Sequence, residues 1–330
     1  MILGGDIGGT KCNLALFERR GTGLAAIFRR RYASQEVARF EDVIASFLGD
    51  ARDVLAQSSG GKVLAAGFGV AGAVIGRRVQ ATNLPWGLNA DVLARQLGTP
   101  HIVLLNDLEA AGYAMAVLDA DDFCTLNAGS PSPESPRVVI AAGTGLGEAI
   151  LIWNGSRHVV LPTEGGHCDF APRSEQEIEL LRYLKKTHKY VSFELILAGR
   201  GFYTLHDFLS PSVRHASFDQ PGTDPAPEIT ARGLDGSCPV CVEVLDLFTT
   251  LYGAEAGNLA LKALARGGVF VGGGIAPKIL PKMKTGNFMR AFREKEKFEE
   301  LLSRVPVQVV LNQEAPLIGA AAEAVRALGN

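Results

Sequence analysis

The stretch MILGGDIGGTKCNLALFE (residues 1–18) joins two apolar runs through a segment rich in glycine. This pattern predicts a strand, a turn and a second strand, with Asp6, Thr10 and Lys11 inside the turn. A plain hairpin needs only about two turn residues, and glycine here fills positions 4, 5, 8 and 9. Because glycine lets a backbone approach a ligand closely, the turn predicts a binding role.

A second copy of this unit lies at residues 137–153, RVVIAAGTGLGEAILIW, with Thr144 in its turn. Two copies of one supersecondary unit indicate two similar domains that face one another, and 330 residues suffice for two. We predict an α/β protein with a small domain over residues 1–114 and a large domain over 115–314. We expect the C-terminal helix, residues 315–330, to pack back on the small domain.

The glycine turns are predicted to bind phosphate, because successive N–H groups in such turns form a concave anion site. A third turn, Gly272–Gly274, follows the predicted strand Val269–Val271 and precedes a helix predicted to open at Pro277. We expect it to contact the nucleoside or the α-phosphate. One such turn alone is often only a tight hairpin. A dinucleotide site at GTGLGE is disfavoured because a strand, rather than a helix, follows it.

Polar residues follow a predicted buried strand in LLND (residues 104–107), which ends in Asn106 and Asp107. One alternative is that Asp107 is only a helix N-cap. Strand ends in open α/β proteins, however, are where ligands bind. We therefore treat Asp107 as a candidate base and Asn106 as a candidate ligand-binding group.

Three further candidates lie farther along the chain. The stretch LPTEGGHCDFAPRSE (residues 161–175) places Glu164 and His167 around two glycines, ahead of a helix that Ser174 is predicted to cap. Glu194 lies near the start of a helix predicted over residues 192–209. Carboxylates, an amide and an imidazole suit a ligand with many hydroxyl groups. A predicted phosphate-binding site together with side chains suited to hydroxyl groups indicates a sugar kinase.

Composition narrows the classes of function. The chain is 47% apolar and 21% charged, with a formal net charge of −2, which disfavours nucleic acid as a partner. Its apolar runs are too short to span a bilayer, and the N-terminus lacks the pattern of a signal peptide. We therefore expect a cytoplasmic protein with no membrane partner.

The five cysteines are odd in number and widely spaced, which argues against a disulfide framework. CPVC (residues 238–241) is a lone CxxC motif, and the sequence shows no two further ligands at similar local spacing. We interpret it as ordinary residues at the start of a long helix and expect no zinc. A metal site from Glu164, His167 and Cys168 is an alternative, although its third ligand would be awkwardly placed.

Seven stretches, in order along nearly the whole chain, resemble the bacterial ATP-dependent glucokinases of the hexokinase, actin and Hsp70 ATPase superfamily. They are GDIGGT (5–10), TNLPW (82–86), LLNDLEAAGYA (104–114), AGTGLG (142–147), LPTEGGHCDFAPRSEQEIELLRYL (161–184), VSFELILAGRG (191–201) and GGVFVGGGIAPKIL (267–280). The resemblance implies a two-domain, ribonuclease H-like fold with a cleft between the domains. It also implies a homodimer that phosphorylates the 6-hydroxyl of glucose with ATP and Mg²⁺ as the first step of glycolysis.

The resemblance further implies a role for each candidate. Asp107 resembles the catalytic base, and Asp6 the residue that holds Mg²⁺ through water. The resemblance implies sugar ligands at Asn106, Asp107, Glu164, His167 and Glu194. It implies ATP contacts at Gly8, Gly9, Thr10, Lys11, Gly143, Thr144, Gly145, Gly272, Gly273 and Gly274.

Two features leave alternatives open. Lys11 after DIGGT is similar to the related ROK sugar kinases, but those carry a cysteine-rich zinc motif after the histidine, and this chain has only Cys168 there. A kinase for another hexose or an N-acetyl amino sugar remains an alternative, because discrimination depends on the pocket around the 2-hydroxyl. A sugar-responsive regulator on a kinase scaffold is less favoured, because the sequence opens at the predicted phosphate turn without a helix-turn-helix.

Overall fold

The computed structural model describes residues 1–21, 23–58, 60–81, 84 and 86–329. Three residues of the TNLPW stretch, Thr82, Asn83 and Pro85, lie outside this set. The chain divides into one unit made of Met1–Ala120 with Asn312–Asn330 and a second unit made of Asp121–Leu311. Within the described residues, no helix combines the length and the apolarity needed to cross a membrane.

The first unit alternates strands with helices. In chain order its elements up to residue 120 are β1 (Ile2–Ile7), β2 (Lys11–Arg20), β3 (Gly23–Ala33), α1 (Phe40–Asp50), α2 (Arg52–Gln57), β4 (Ala65–Val70), β5 (Val74–Ile75), β6 (Arg78–Gln80), β7 (Gly87–Asn89), α3 (Ala90–Leu97), β8 (Ile102–Asn106) and α4 (Asp107–Ala114).

The second unit contains more helix, including one of 25 residues. Its elements are β9 (Phe123–Asn127), β10 (Arg137–Ala142), β11 (Leu146–Trp153), β12 (His158–Thr163), α5 (Glu175–Leu184), α6 (Gly199–Leu209), α7 (Ala226–Asp235), α8 (Pro239–Ala263), β13 (Gly268–Gly272), α9 (Leu280–Met283), α10 (Asn287–Arg293), α11 (Glu299–Ser303) and β14 (Val307–Val310).

The two units share one sheet topology. The first sheet has the order β3-β2-β1-β4-β8, and the second has β12-β11-β10-β13-β14 with β9 added at its edge. In each sheet the hairpin is antiparallel, β1 with β2 and β10 with β11. The next strand, β4 or β13, pairs in parallel with the first strand of the hairpin. The strand after it, β8 or β14, then pairs in parallel with β4 or β13. The predicted duplication of the glycine-turn unit is therefore confirmed, because β1–β2 and β10–β11 hold equivalent places.

The chain returns to the first unit with α12 (Ala315–Ala327), which packs on the face of β1, β4 and β8. This contact is close because glycine lines it: a Cβ at Gly67 would lie 1.9 Å from the carbonyl oxygen of Ala320. Leu317, Ala321 and Ala324 are buried there against strand residues. Any larger side chain at position 67 would push the helix off the sheet.

The first glycine-rich turn is shorter than the sequence predicted. Strand β1 runs through Ile7, so Gly4, Gly5 and Asp6 belong to the strand and not to the turn. Their glycines serve packing: a Cβ at Gly5 would lie 2.5 Å from Cδ1 of Phe68, and one at Gly4 would lie 2.9 Å from the carbonyl oxygen of Leu317. Only residues 8–10 separate the strands, and Lys11 opens β2.

Three other boundaries differ from the prediction. The helix expected at Pro277 begins at Leu280, because the backbone after Gly272 first turns to donate from Ile275 N to the carbonyl of Ala142 at 3.2 Å. Glu194 lies in a short 3-10 turn, and the helix after it starts only at Gly199. The stretch FDQPGTDPAPEIT (residues 218–230) has the polar, proline-containing composition that predicts a loop, but α7 already begins within it at residue 226.

Candidate active site

The carboxyl ends of the parallel strands in the first unit bring its predicted site residues to one edge of the sheet. Ala71 N, just after β4, donates to the carbonyl of Ile7 at the end of β1 at 3.1 Å. Asn106, at the end of β8, donates from Nδ2 to the carbonyl of Gly72 at 3.2 Å. The Gly8–Thr10 turn and the Asn106–Asp107 pair therefore lie on the same side of this sheet, as parallel topology requires.

Asn106, and not Asp107, caps the helix that follows. Oδ1 of Asn106 accepts from Leu108 N at 2.9 Å and from Glu109 N at 3.4 Å. In turn, Oε2 of Glu109 accepts from Asn106 N at 3.3 Å. Asp107 is the first helical residue, and its Oδ1 accepts from Leu108 N at 2.9 Å. The alternative that Asp107 is only an N-cap is thus wrong, because the preceding residue does that work.

The Gly8–Thr10 turn is held by Ser34, which follows β3. Gly8 N donates to the carbonyl of Lys11 at 2.9 Å, and Ser34 Oγ donates to the carbonyl of Gly8 at 2.8 Å. Ser34 N also donates to the carbonyl of Thr10 at 3.1 Å. Thr10 and Lys11 are exposed. Ser34 is fully buried and was not predicted; no sequence signal marks it, because its importance depends on the pairing of β2 with β3.

Asp6 lies half-buried on β1 beside this turn. Asn13 lies opposite it on β2 and donates from Nδ2 to Oδ2 of Asp6 at 3.1 Å. Burial raises the pKa of the Asp6 carboxyl, while the bond from Asn13 and the charge of Arg31 lower it. A carboxylate oxygen is the ligand type that Mg²⁺ prefers, and a nearby cation would offset the desolvation of this group. The residue fits the metal role that the resemblance implies.

In the second unit, β10 and β13 bring the other two glycine turns together. Ala141 pairs with Gly272 in parallel register, so Gly143–Gly145 and Gly272–Gly274 follow neighbouring strand ends. Gly143 N donates to the carbonyl of Gly145 at 2.8 Å, which closes the turn around Thr144. Gly273 has a φ of +80°, and a Cβ there would lie 2.2 Å from the carbonyl oxygen of Ala142. The fold therefore supplies two adjoining turns, in which Thr144 and Gly273 are exposed and Gly272, the last residue of β13, is buried.

Glu194 contacts both this turn and His167. Its Oε2 accepts from Leu146 N, directly after Gly145, at 3.2 Å, and lies 3.8 Å from Nε2 of His167. Its Oε1 accepts from Arg200 Nη2 at 3.2 Å. The Glu194 side chain is 19% exposed and that of His167 is 57% exposed, so both remain accessible. Arg200 was not predicted; its place on the first turn of α6 was the available signal.

Backbone hydrogen bonds join the segment that follows His167 to the segment that precedes Glu194. Phe193 N donates to the carbonyl of Cys168 at 3.1 Å, and Phe170 N donates to the carbonyl of Val191 at 2.9 Å. The hydroxyl of Tyr190 donates to the carbonyl of His167. This pairing explains why Glu194 lies in a tight turn rather than in a helix, because Ser192 is extended and pairs with Asp169, and the 3-10 turn begins directly after it at Phe193.

The two glycines between Glu164 and His167 allow this segment to lie directly on β11. A Cβ at Gly165 would lie 2.0 Å from Oε2 of Glu148, and one at Gly166 would lie 2.0 Å from the carbonyl oxygen of Leu146. Glu164 is exposed, and its carbonyl accepts from His167 N at 3.0 Å in the resulting 3-10 turn. Within the second unit, the structure thus gathers His167, Glu194 and the Gly143–Gly145 turn, with Glu164 at the start of the same 3-10 turn.

Glu148 lies buried beneath this segment and was not predicted to have a role. Burial, and then the charge of Glu255, raise its pKa to about 8. Lys262 Nζ lies 3.5 Å from Oε1 of Glu255, and its positive charge partly offsets the negative charge of the two carboxyl groups. Two carboxyl groups this close cannot both ionise easily, so the pair holds a proton at neutral pH.

The expectation of no zinc rested on the absence of ligands close in sequence to CPVC, and the fold changes that premise. Ligand atoms of His206, His215, Cys238 and Cys241 all lie within 4.8 Å of one another. In the part of the chain that the structure describes, Glu164, His167 and Cys168 do not form a group able to hold a metal ion.

Comparison with known proteins agrees with this fold. A family model described as Glucokinase matches residues 3–327. The glucokinase of a Nostoc species is 40% identical, and that of Nostoc punctiforme 38% identical, each over 99% of both chains. A solved glucokinase from an Antarctic psychrotroph superposes with a TM-score of 0.85 at 29% identity, over 98% of both chains.

These findings define a sugar kinase with two ribonuclease H-like units, as the sequence predicted. The chain belongs to the glucokinase family.

Proposed function

We propose that this chain is an ATP:D-glucose 6-phosphotransferase, which converts glucose to glucose 6-phosphate at the entry to glycolysis. The single observation that carries the proposal is Glu194. Its carboxylate accepts from the backbone directly after the Gly143–Gly145 turn and lies beside His167. One side chain therefore joins a phosphate-type turn to a group suited to sugar hydroxyls.

Catalysis of this reaction depends on positioning and charge stabilisation, because the phosphoryl group passes through a loose transition state. We assign the phosphate contacts to the Gly8–Thr10 turn with Lys11 and to the Gly143–Gly145 turn, and the nucleoside contact to Gly272–Gly274. Backbone N–H groups in such turns are donors for phosphate oxygens. Mg²⁺ would neutralise the developing charge, with Asp6 holding it through water.

Asp107 is assigned as the base that accepts the proton of the 6-hydroxyl. Its place at the first turn of α4 supports this role, because Asn106 already caps the helix. We propose that Asn106 donates to the sugar with the second hydrogen of its Nδ2, since Gly72 accepts only one.

Glu164, His167 and Glu194 are assigned to the remaining hydroxyl groups. Carboxylates accept hydroxyl hydrogens, and a neutral imidazole both donates and accepts. Arg200 fixes one oxygen of Glu194, which leaves the carboxylate oriented toward His167. The resemblance further supports a homodimer. The proposed substrates, glucose and ATP, support a cytoplasmic location.

A coupled spectrophotometric assay with ATP, Mg²⁺ and a panel of hexoses and N-acetyl amino sugars tests the proposal. Glucose should have the highest kcat/KM, and omission of Mg²⁺ should abolish turnover. A higher kcat/KM for another hexose or an N-acetyl amino sugar would reassign the substrate. Glucose binding without phosphorylation of any sugar would favour a regulator.

A further inference from the structure

Four metal-ligating side chains meet in the second unit, away from every residue assigned above. His206 lies on α6, His215 precedes the 3-10 turn Ala216–Asp219, and Cys238 and Cys241 lie at the start of α8. We propose that these four residues form a Cys₂His₂ site for a structural zinc ion. The inference does not depend on the kinase function.

Distances between the ligand atoms suit one shared centre. Tetrahedral zinc with bonds of about 2.0 to 2.3 Å places its ligand atoms about 3.3 to 3.8 Å apart. All four ligand atoms here lie within 4.8 Å of one another, and Sγ of Cys241 lies 3.2 Å from Nε2 of His215. Small side-chain rotations would therefore complete the tetrahedron.

His206 gives an independent indication. Its ring is only 1% exposed, and among the described residues its Nε2 has no hydrogen-bond partner. A buried polar atom without a hydrogen-bond partner destabilises the fold, so such atoms require an explanation. A hydrogen bond between Cys241 and His215 alone would leave this nitrogen unpaired, whereas a zinc ion would be bound by it together with the other three ligands.

Charge and surroundings also suit Zn²⁺. Two thiolates and two neutral imidazoles balance its two charges, which is what a buried site requires. Phe218 packs edge-on against both imidazoles, with ring centroids 4.9 Å from His206 and 5.1 Å from His215.

Four protein ligands leave no open position, so the site would be structural rather than catalytic. The ion would tie α6, the polar connection over residues 210–225 and the start of α8 to one point. These ligands are not at the position after His167 where the ROK kinases carry their cysteine motif. The spacing H-x8-H followed by C-x2-C explains why a search limited to ligands close in sequence missed it.

The direct test is metal analysis of full-length protein without a histidine tag, expressed with zinc and purified under reducing conditions. We expect about one zinc ion per chain, and protein produced with Co²⁺ should show the visible and near-ultraviolet bands of tetrahedral cobalt bound by thiolates. Cys238→Ser/Cys241→Ser should lose the metal, and Cys124→Ser should retain it. His215→Asn should reduce occupancy, and His188→Asn should not.

A second readout does not depend on whether those variants fold. A strong zinc chelator should lower the melting temperature of the wild type, and zinc should restore it, because a ligand that binds only the folded state stabilises it. The proposal is overturned if reduced wild-type protein binds neither Zn²⁺ nor Co²⁺. A Cys238–Cys241 disulfide without metal binding, or zinc retained by the double cysteine variant, would overturn it equally.

Discussion

Nε2 of His167 lies 3.8 Å from Oε2 of Glu194, although the two residues belong to separate 3-10 turns. The same Oε2 accepts from Leu146 N at the end of the glycine turn. This arrangement makes Glu194 the point where two predicted binding features meet in the second unit. Its side chain is therefore expected to affect sugar binding more than the stability of the fold.

Glu194→Gln should raise the KM for glucose by about 10- to 100-fold, because a hydrogen bond to a charged group is worth about 1.5 to 3 kcal/mol. The amide keeps the volume but loses the charge that Arg200 and the sugar hydroxyls face. Steady-state kinetics with varied glucose measure the effect. Glu134→Gln, at an exposed loop position, is the control. Equal KM values for the two variants would remove Glu194 from the site.

Gly143→Ala should raise the KM for ATP by about tenfold or more while leaving the melting temperature nearly unchanged. A Cβ at this position meets nothing within 4 Å in the structure, so the fold tolerates it, whereas a phosphate bound to the turn would not. A charge-assisted bond lost in this way is worth about 1.5 to 3 kcal/mol. Kinetics with varied ATP and thermal unfolding measure the two effects.

Gly145→Ala and Gly49→Ala are the comparison variants for Gly143→Ala. A Cβ at Gly145 would lie 2.6 Å from Oε2 of Glu194, so this variant should disturb glucose binding as well. Gly49 lies in α1 with open space around it, and its replacement should not affect either substrate. A normal KM for ATP in Gly143→Ala would show that the Gly143–Gly145 turn does not bind phosphate.

Glu148→Gln should flatten the dependence of stability on pH. Burial, and then Glu255, raise the pKa of Glu148 from its ordinary value of 4.5 to about 8 in the folded protein. Between these values the folded state binds more protons than the unfolded state, so wild-type stability falls as the pH rises through this window. Glutamine resembles the protonated form and cannot ionise.

Melting temperatures from pH 5 to pH 9 test this prediction. The wild type should lose more stability across the range than Glu148→Gln, and Glu134→Gln should follow the wild type. Parallel curves for the wild type and Glu148→Gln would show that Glu148 is ionised throughout and that its proton is not shared with Glu255.

Local patterns predicted the elements on which the site is built. Alternation of apolar runs with glycine turns identified β1–β2 and β10–β11, and LLND identified the transition from β8 to α4. These succeed because strand and helix signals depend on neighbours in sequence. The contact between His167 and Glu194 was foreseen only as a shared role toward a ligand with many hydroxyl groups, from their residue types and from the family resemblance.

Features that depend on tertiary packing were not predictable. Gly4 and Gly5 were assigned to a turn because their density resembles one, but Leu317 and Phe68, far along the chain, require glycine there. His206 and His215 could not be joined to CPVC, since α7 lies between them in sequence. The buried pair of Glu148 and Glu255 likewise depends on α8 packing against the second sheet at β10 and β13.

Asp107→Asn should reduce kcat by about 10²- to 10⁴-fold, the range expected when a general base is lost. Asn106 keeps its cap on α4 in this variant, so the helix should remain intact. The control is Asp91→Asn in the first turn of α3, where Asn89 is the N-cap. It removes a carboxylate from the first turn of another helix capped by asparagine and should leave kcat unchanged.

The most direct measurement is the kcat of Asp107→Asn at saturating ATP and glucose, with glucose affinity measured by calorimetry on the same preparation. The account predicts a fall of at least about a hundredfold in kcat with glucose binding preserved. Turnover close to that of the wild type, in a variant that binds glucose normally, would contradict the assignment of Asp107 as the base and with it the proposed mechanism.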